Sequence, residues 1–260
     1  MDRGYYLGCL DRGLELYWRT LAKARGLVLH TGEIAWMKSE QPGGPERIFR
    51  VNLAPDRAHE RVAELVEMIR RGEAPSGVLL THGSQPEDID KILAAAGFAV
   101  DYDTGSVMAM DLGPSVDAQL KLNKHVAITT VADEGSLRVW TGVVNEALFE
   151  MELFSYEQFH DIHSLDNTYF SLGWLDGKPV STCLTIVEDD VVAVEMVSTL
   201  REHRRRGAGT AVTVAALGDA QGVGAKTAVL RAEHEAVGVY RRIGFQEFYK
   251  RIVASFHPDR

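Results

Sequence analysis

Cysteine is scarce in this chain: Cys9 and Cys183 are the only two among 260 residues. Two thiols build no disulfide framework, and neither has neighbours spaced like metal ligands. Both are expected to be buried thiols in a reducing cytoplasm, with no metal bound. No apolar run reaches the ~18 residues of a membrane span, and Met1-Asp2-Arg3 opens no signal peptide, so no membrane association is expected. Positive charge is not in excess either. The net charge is −9, divided as −4 over residues 1–115 and −5 over residues 116–260, which argues against a general nucleic-acid role. The P-loop ending Gly-Lys-Ser/Thr and the dinucleotide spacing Gly-x-Gly-x-x-Gly are both missing. What is present, 45% hydrophobic and 25% charged residues, suits a soluble globular protein of one large or two ordinary domains.

The most informative stretch is Arg204-Arg205-Arg206-Gly207-Ala208-Gly209. Before it, Val191 to Thr199 is β-branched and long enough for one buried strand, interrupted by Glu195 and Ser198. After it, Thr210 to Ala220 is small, apolar and free of proline, as suits a buried helix. Two glycines at such a junction let successive N–H groups converge at the positive end of the helix dipole. That is an anion cradle, and the arginines raise the local potential. A phosphate-bearing ligand is expected there.

A second motif follows the expected strand Thr227 to Ala232. It is Ala236-Val237-Gly238-Val239-Tyr240-Arg241-Arg242-Ile243-Gly244-Phe245, a short helix closed by Gly244, with Phe245 starting the next strand. On its own Tyr240 reads as a half-buried aromatic.

Together, Arg204-x-x-Gly207-x-Gly209 after an extended strand and Ala236-x-x-x-Tyr240 ending in Gly244-Phe245 resemble the GNAT superfamily of acetyl-CoA-dependent N-acetyltransferases. The resemblance covers about Lys124 to His257. The local pattern agrees with that family's element order. His125 to Thr130 reads as a strand, and Asp133 opens a helix with Leu137, Trp140, Val144 and Leu148 on one face. Ser155 with Gln158 forms a capping box for a second helix through His163. Tyr169 to Leu175 and Pro179 to Val187 flank the hairpin signal Asp176-Gly177, and Glu188-Asp189-Asp190 turns into the strand before the arginines. Two departures stand out. Glu233 occupies the place where the family often has Asn, seven residues before the tyrosine. Gln246 to Phe256 reads as one strand where the family has two, so the last strand is either short or supplied by the other half.

The first half reads as a worn copy of the second. A helix over Leu7 to Ala24 carries Leu10, Leu14, Tyr17 and Leu21 on one face. Strands Gly26–His30, Ile34–Lys38 and Arg47–Leu53, helix Ala58–Arg71, strand Gly77–Leu80 and helix Asp88–Ala95 follow. A hairpin is expected through Asp103-Thr104-Gly105, and Gly97-Phe98 lies 147 residues before Gly244-Phe245. The copy lacks the chemistry: Ala54-Pro55-Asp56-Arg57 stands at the cradle and Leu93 at the tyrosine place.

The expected fold is therefore α/β, an α+β mixed sheet in two GNAT-like halves. Residues 1–112 would form a degenerate domain without a cofactor site, residues 113–123 a linker with a joint at Gly113-Pro114-Ser115, and residues 124–260 the catalytic acyltransferase domain. The resemblance implies direct attack of an amine on the thioester of acetyl-CoA, moving an acetyl rather than an amino-acyl group. It places the cofactor on Val197, Ser198, Thr199, Arg204, Arg205, Arg206, Gly207, Ala208, Gly209 and Thr210, with Val197 N–H facing the thioester oxygen. Tyr240 would protonate the thiolate. Glu195, the one charge in an apolar strand, is either a base acting through water or an ion-paired glutamate. His160 and His163 would border the acceptor pocket, although as residues each reads more readily as a solvated histidine. The acceptor is open, a small-molecule or peptide amine, and so is the choice of monomer or homodimer. A non-catalytic acyl-CoA sensor and a transferase for longer acyl chains are the competing readings.

Overall fold

A computed structural model describes residues 2–113 and 123–257; Pro114, Ser115 and the expected linker as far as residue 122 lie outside the described residues. In the first half a helix α1 (Arg3–Leu21) precedes strands β1 (Leu27–His30), β2 (Ile34–Ser39) and β3 (Glu46–Val51). Helix α2 (Ala58–Arg70), β4 (Gly77–Leu80), α3 (Ile89–Ala95), β5 (Ala99–Asp101) and β6 (Ser106–Asp111) complete it. The second half runs β7 (Val126–Thr130), α4 (Glu134–Val144), α5 (Tyr156–His163), β8 (Thr168–Leu175), β9 (Lys178–Glu188) and β10 (Val191–Thr199). It continues with α6 (Ala208–Gly222), β11 (Thr227–Ala232), α7 (His234–Ile243), β12 (Gln246–Lys250) and β13 (Ile252–Ser255).

Local signals formed as their chemistry requires. Asp133 caps α4 by accepting from Ser136 N, and Ser155 with Gln158 closes the reciprocal box that starts α5. The Asp176-Gly177 turn joins β8 to β9 in a register running from Leu175 opposite Lys178 to Thr168 opposite Ile186. Leu137, Trp140 and Val144 of α4 are buried, and Trp140 meets Phe159 and Phe170 edge-on at 4.8 and 4.7 Å. Such aromatic pairs add about 0.5–1.5 kcal/mol each beyond their buried area. Leu148, the fourth residue of that stripe, is exposed, because α4 gives way to a single π turn over Asn145–Phe149.

The two sheets exchange their last strands. One is ordered β1-β2-β3-β4-β13-β5 and the other β12-β6-β11-β10-β9-β8-β7. The fifth to last elements of the two halves match closely, β5 and β6 beginning 147 and 146 residues before β12 and β13. Each half thus inserts its final strand into the other sheet, β13 between β4 and β5 and β6 between β11 and β12. Two expectations change accordingly, and one alternative is decided. Gln246 to Phe256 is two strands broken at Arg251, the missing strand of the second sheet is indeed supplied by the first half, and Asp103-Thr104-Gly105 is no hairpin. Instead it is a crossover between sheets, its Thr104 held by the Arg251 guanidinium. Sheet membership therefore crosses the expected division at residues 113–123.

Helix α1 is shared as well. Leu10, Leu14, Tyr17 and Leu21 are buried as their spacing predicts, but Cys9, Gly13, Leu16 and Thr20 are buried too, because α1 has a sheet on each side. Its core neighbours include Met37 and Phe49 of one sheet and Val191, Ala193 and Val229 of the other. Gly13 permits this closeness, since a Cβ there would lie 2.2 Å from Val229 Cγ2. Helices α6 and α7 cover the opposite face of the second sheet. Among the described residues no helix is long and apolar enough to cross a membrane.

Candidate active site

Strands β10 and β11 are parallel and paired over Val191–Val194 and Thr227–Leu230; beyond Val194 the edge of β10 toward β11 has no strand partner. The strand also kinks there. Its register on β9 shifts between Glu195 and Ser198, and Met196 takes φ 50°, a left-handed value that costs a non-glycine residue ~1 kcal/mol or more. Thr182 Oγ1 donates to the Met196 carbonyl at 2.8 Å and bonds Ser198 Oγ at 2.6 Å, which fixes the bulge. Bulges of this kind re-aim side chains beside a site.

Past the kink, α6 starts at the mouth of the opened strands. Gly207 is its N-cap at φ 81°, and Arg205 turns the chain before it at φ 61°. The N–H groups of Arg205, Arg206, Gly207, Ala208, Gly209 and Thr210 find no acceptor among the described residues, the first closed helical bond being Ala211 N to Gly207 O at 3.0 Å. Six free donors at the positive end of a fifteen-residue helix form the cradle that the glycines imply. At Gly209 a Cβ would come within 3.1 Å of Thr199 Oγ1, so the loop and strand meet closely. A cleft of about 1400 Å³ opens here, walled by Val197, Ser198, Thr199, the cradle loop and Tyr240.

The arginines divide unexpectedly. Arg204 donates to the carbonyls of Thr199 and Ala147 at 3.2 and 3.3 Å, tying the end of β10 to the π turn. Arg206 turns outward onto Asp176 at 2.8 Å. Arg204 and Arg205 both lie on the cleft, where Arg201 and Arg242 join them. Sequence pattern missed Arg201 and Arg242, whose spacing from the glycines carries no motif. Glu233, at the family's Asn place, holds Arg251 at 2.8 Å.

A second cavity of about 530 Å³ lies behind the first, and the two share Leu148, Val197, Glu233, Ala236 and Tyr240 as walls. Tyr240 is 7% exposed and packs edge-on against Phe245 at 5.8 Å. Burial, with Cys183 and Glu195 nearby, raises the pKa of its phenol, so it stays protonated at neutral pH. Glu195 is both cavity wall and ion pair: its Oε2 accepts from Arg231 at 2.8 Å, while its Oε1 is buried without a partner. Burial raises its pKa against the opposing pull of Arg231. Arg231 itself is stacked over Tyr17 and Trp18 of α1 at 4.8 and 5.0 Å, a contact that the sequence of the first half did not announce. The structure places His160 and His163 outside both cavities. His160 is exposed, and His163 Nε2 bonds the Val131 carbonyl at 2.9 Å.

The corresponding place in the first half is filled by the chain itself. β11 passes to α7 through Glu233 alone, whereas a loop from Thr81 to Asp88 separates β4 from α3. Gln85 N donates to Val51 O at 2.9 Å and Leu53 N donates to Gln85 O at 3.1 Å, a bridge along the end of β3. Leu93, at the tyrosine place, is fully buried in that half's core.

A mixed sheet whose parallel strands part beside a glycine-capped helix defines the fold of the N-acyltransferases that take acyl-CoA. Residues 136–245, somewhat under half of the chain, match the model of the acetyltransferase (GNAT) family. No curated protein matches the chain in sequence. Among solved structures, a GCN5-related N-acetyltransferase from Kribbella flavida is similar at 18% identity and TM-score 0.72, covering 95% of each chain. A tandem GNAT protein from the clavulanic acid biosynthesis pathway has 15% identity and TM-score 0.66, again over 95% of each chain. A GCN5-related N-acetyltransferase from Sphaerobacter thermophilus has 17% identity and TM-score 0.65, over 85% of this chain and 76% of its own. At such identities the likeness is one of fold, and it extends over both halves.

Proposed function

We propose that the chain moves an acetyl group from acetyl-CoA to a primary amine by direct attack in a ternary complex. The observation that carries this reading is that the cradle cleft and the Glu195 cavity meet at Tyr240. Bound acetyl-CoA supplies a thioester carbon that accepts the amine and a sulfur that leaves. The free N–H groups from Arg205 to Thr210 hold its pyrophosphate, with Arg205 and Arg242 adding charge from the cleft wall. The open edge of β10 at Val197 to Thr199 receives the pantetheine as an added strand. Val197 N–H donates to the carbonyl oxygen as charge develops.

Glu195 Oε1, the unpartnered oxygen, accepts the proton that the attacking nitrogen gives up, directly or through water. Tyr240 donates its phenolic proton to the departing sulfur. One group gains a proton and the other loses one, and exchange with solvent resets both. The first half binds no second acetyl-CoA in this reading, because Gln85 already makes the main-chain bonds along β3 that a pantetheine arm would need. Its role is to wall the acceptor cavity with Tyr17, Trp18, Arg47 and Leu79.

Release of free thiol from acetyl-CoA across a panel of amines and amine-bearing peptides tests the reading. Amine-dependent thiol release is expected. Binding of coenzyme A with no release from any amine would favour a sensor instead.

A further inference from the structure

The acceptor cavity holds three guanidiniums and two carboxylates: Arg47, Arg231 and Arg251 with Glu195 and Glu233. Two of the arginines are matched. Arg231 is bonded to Glu195, and Arg251 to Glu233. Arg47 has no hydrogen-bond acceptor or ion-pair partner among the described residues, and burial together with repulsion from Arg231 and Arg251 disfavours its charge. Its neighbour Glu46 is engaged elsewhere, with Lys38 at 3.7 Å and Ser76 N at 3.4 Å. A guanidinium does not escape by losing its proton, so an unmatched one in a half-buried wall is stabilised by an incoming anion.

The position is built rather than incidental. Arg47 is the second residue of β3 and lies across β4 where residue 77 is glycine; a Cβ there would stand 2.5 Å from Arg47 Nη1. Leu79 of β4 and Val253 of the exchanged strand β13 complete this side of the cavity. The first half, which lacks the cofactor chemistry, thus presents a cation opposite the carboxylate of the second.

Resting on the acetyltransferase reading, we infer that the acceptor is a small amino acid-like molecule whose carboxylate is held by Arg47 while its amine faces Glu195. The charge count agrees. Three cations and two anions leave one positive charge on the wall, and an acceptor in its reactive form, with a neutral amine and a carboxylate, carries one negative charge. A phosphate monoester would carry about two. A volume of about 530 Å³ is in the range of small-molecule sites. The overall charge of −9 points the other way, toward a polycationic acceptor, but the wall of the cavity is local and the net charge is not.

The test uses amino acids paired with their decarboxylated amines: leucine with isopentylamine, phenylalanine with phenethylamine, lysine with cadaverine. Calorimetric binding is measured with and without free coenzyme A for wild type, Arg47→Met and Arg47→Lys. In at least one pair the amino acid is expected to bind about tenfold or more tightly than its amine. Arg47→Met should erase that difference and leave the amine unaffected, and Arg47→Lys, which keeps the charge and the fold, should retain part of it. Equal or tighter binding of the amines, an unchanged preference in Arg47→Met, or no binding by any pair would overturn the inference. Thiol release separates the two readings. Release with the amines alone would keep acetyl transfer and remove the carboxylate site. A carboxylate preference in binding without thiol release would do the reverse.

Discussion

Replacing Tyr240 by Phe removes one hydroxyl and nothing else of consequence. The ring is buried and rests edge-on against Phe245, contacts that Phe retains, and the hydroxyl bonds to nothing among the described residues. Stability should therefore change by less than ~1 kcal/mol, because no partner is left unsatisfied. Catalysis should change far more. The raised pKa keeps the phenol protonated, and Tyr240 lines both cavities, where the sulfur and the attacking amine must meet. A general acid in such a position typically contributes about 100- to 10,000-fold, so kcat at saturating acetyl-CoA should fall at least tenfold while coenzyme A affinity stays near wild type. The assay is thiol release under saturating acetyl-CoA with an acceptor for which chemistry limits the rate. Wild-type kcat in Tyr240→Phe would refute the acid role and reduce the residue to packing.

Glu195 must be ionised to accept a proton, and burial raises its pKa above the ordinary 4.5, so activity should fall toward acid at a pH higher than an exposed glutamate would give. Glu195→Gln should lower kcat and remove that acid limb from the pH–rate profile; an unaltered limb would assign it to another group. Gly13→Ala should lower stability by about 1–3 kcal/mol in thermal melts despite alanine's better helix propensity, since its Cβ meets Val229 at 2.2 Å; an unchanged melting temperature would mean that α1 shifts freely. Residues 1–112 expressed alone lack β13, which lies between β4 and β5, and should give no cooperative melt by circular dichroism. A folded fragment would show that the strand exchange is dispensable.

The signals carried by neighbouring residues were legible in the sequence: the capping residues Asp133 and Ser155, the Asp176-Gly177 hairpin and the Gly207 cap all formed locally. What was not legible depends on partners far along the chain. A stretch such as Gln246 to Ser255, without a turn signal, reads as extended but does not say which sheet receives it. The break at Arg251 has no glycine or proline to mark it. Helix α1 displayed one apolar face, and its second buried face consists of Cys9, Gly13, Leu16 and Thr20, with only one large apolar residue among them and so too mixed to read as a stripe. In the site, Glu195 was singled out as the one charge in an apolar strand, and Tyr240 by the resemblance of its helix to the family's closing motif. Arg47 and the bridge at Gln85 were not, since an arginine early in a strand and a glutamine in a loop acquire meaning only once β4 lies beside them. Arg206 illustrates the converse, for a basic run announces charge and not direction.

The most direct test is a calorimetric titration of coenzyme A into the wild-type chain and into Gly209→Val. One site per chain is expected in the wild type, because the cradle's six free donors lie in the second half and Gln85 fills the first. In Gly209→Val the added side chain meets Thr199 Oγ1, which even a bare Cβ would approach to 3.1 Å, and blocks the approach to the loop. Binding should then weaken about 100-fold or more, as expected when two charge-assisted bonds are lost, with the fold retained by circular dichroism. Two equivalent sites, or unchanged affinity in Gly209→Val, would contradict the account.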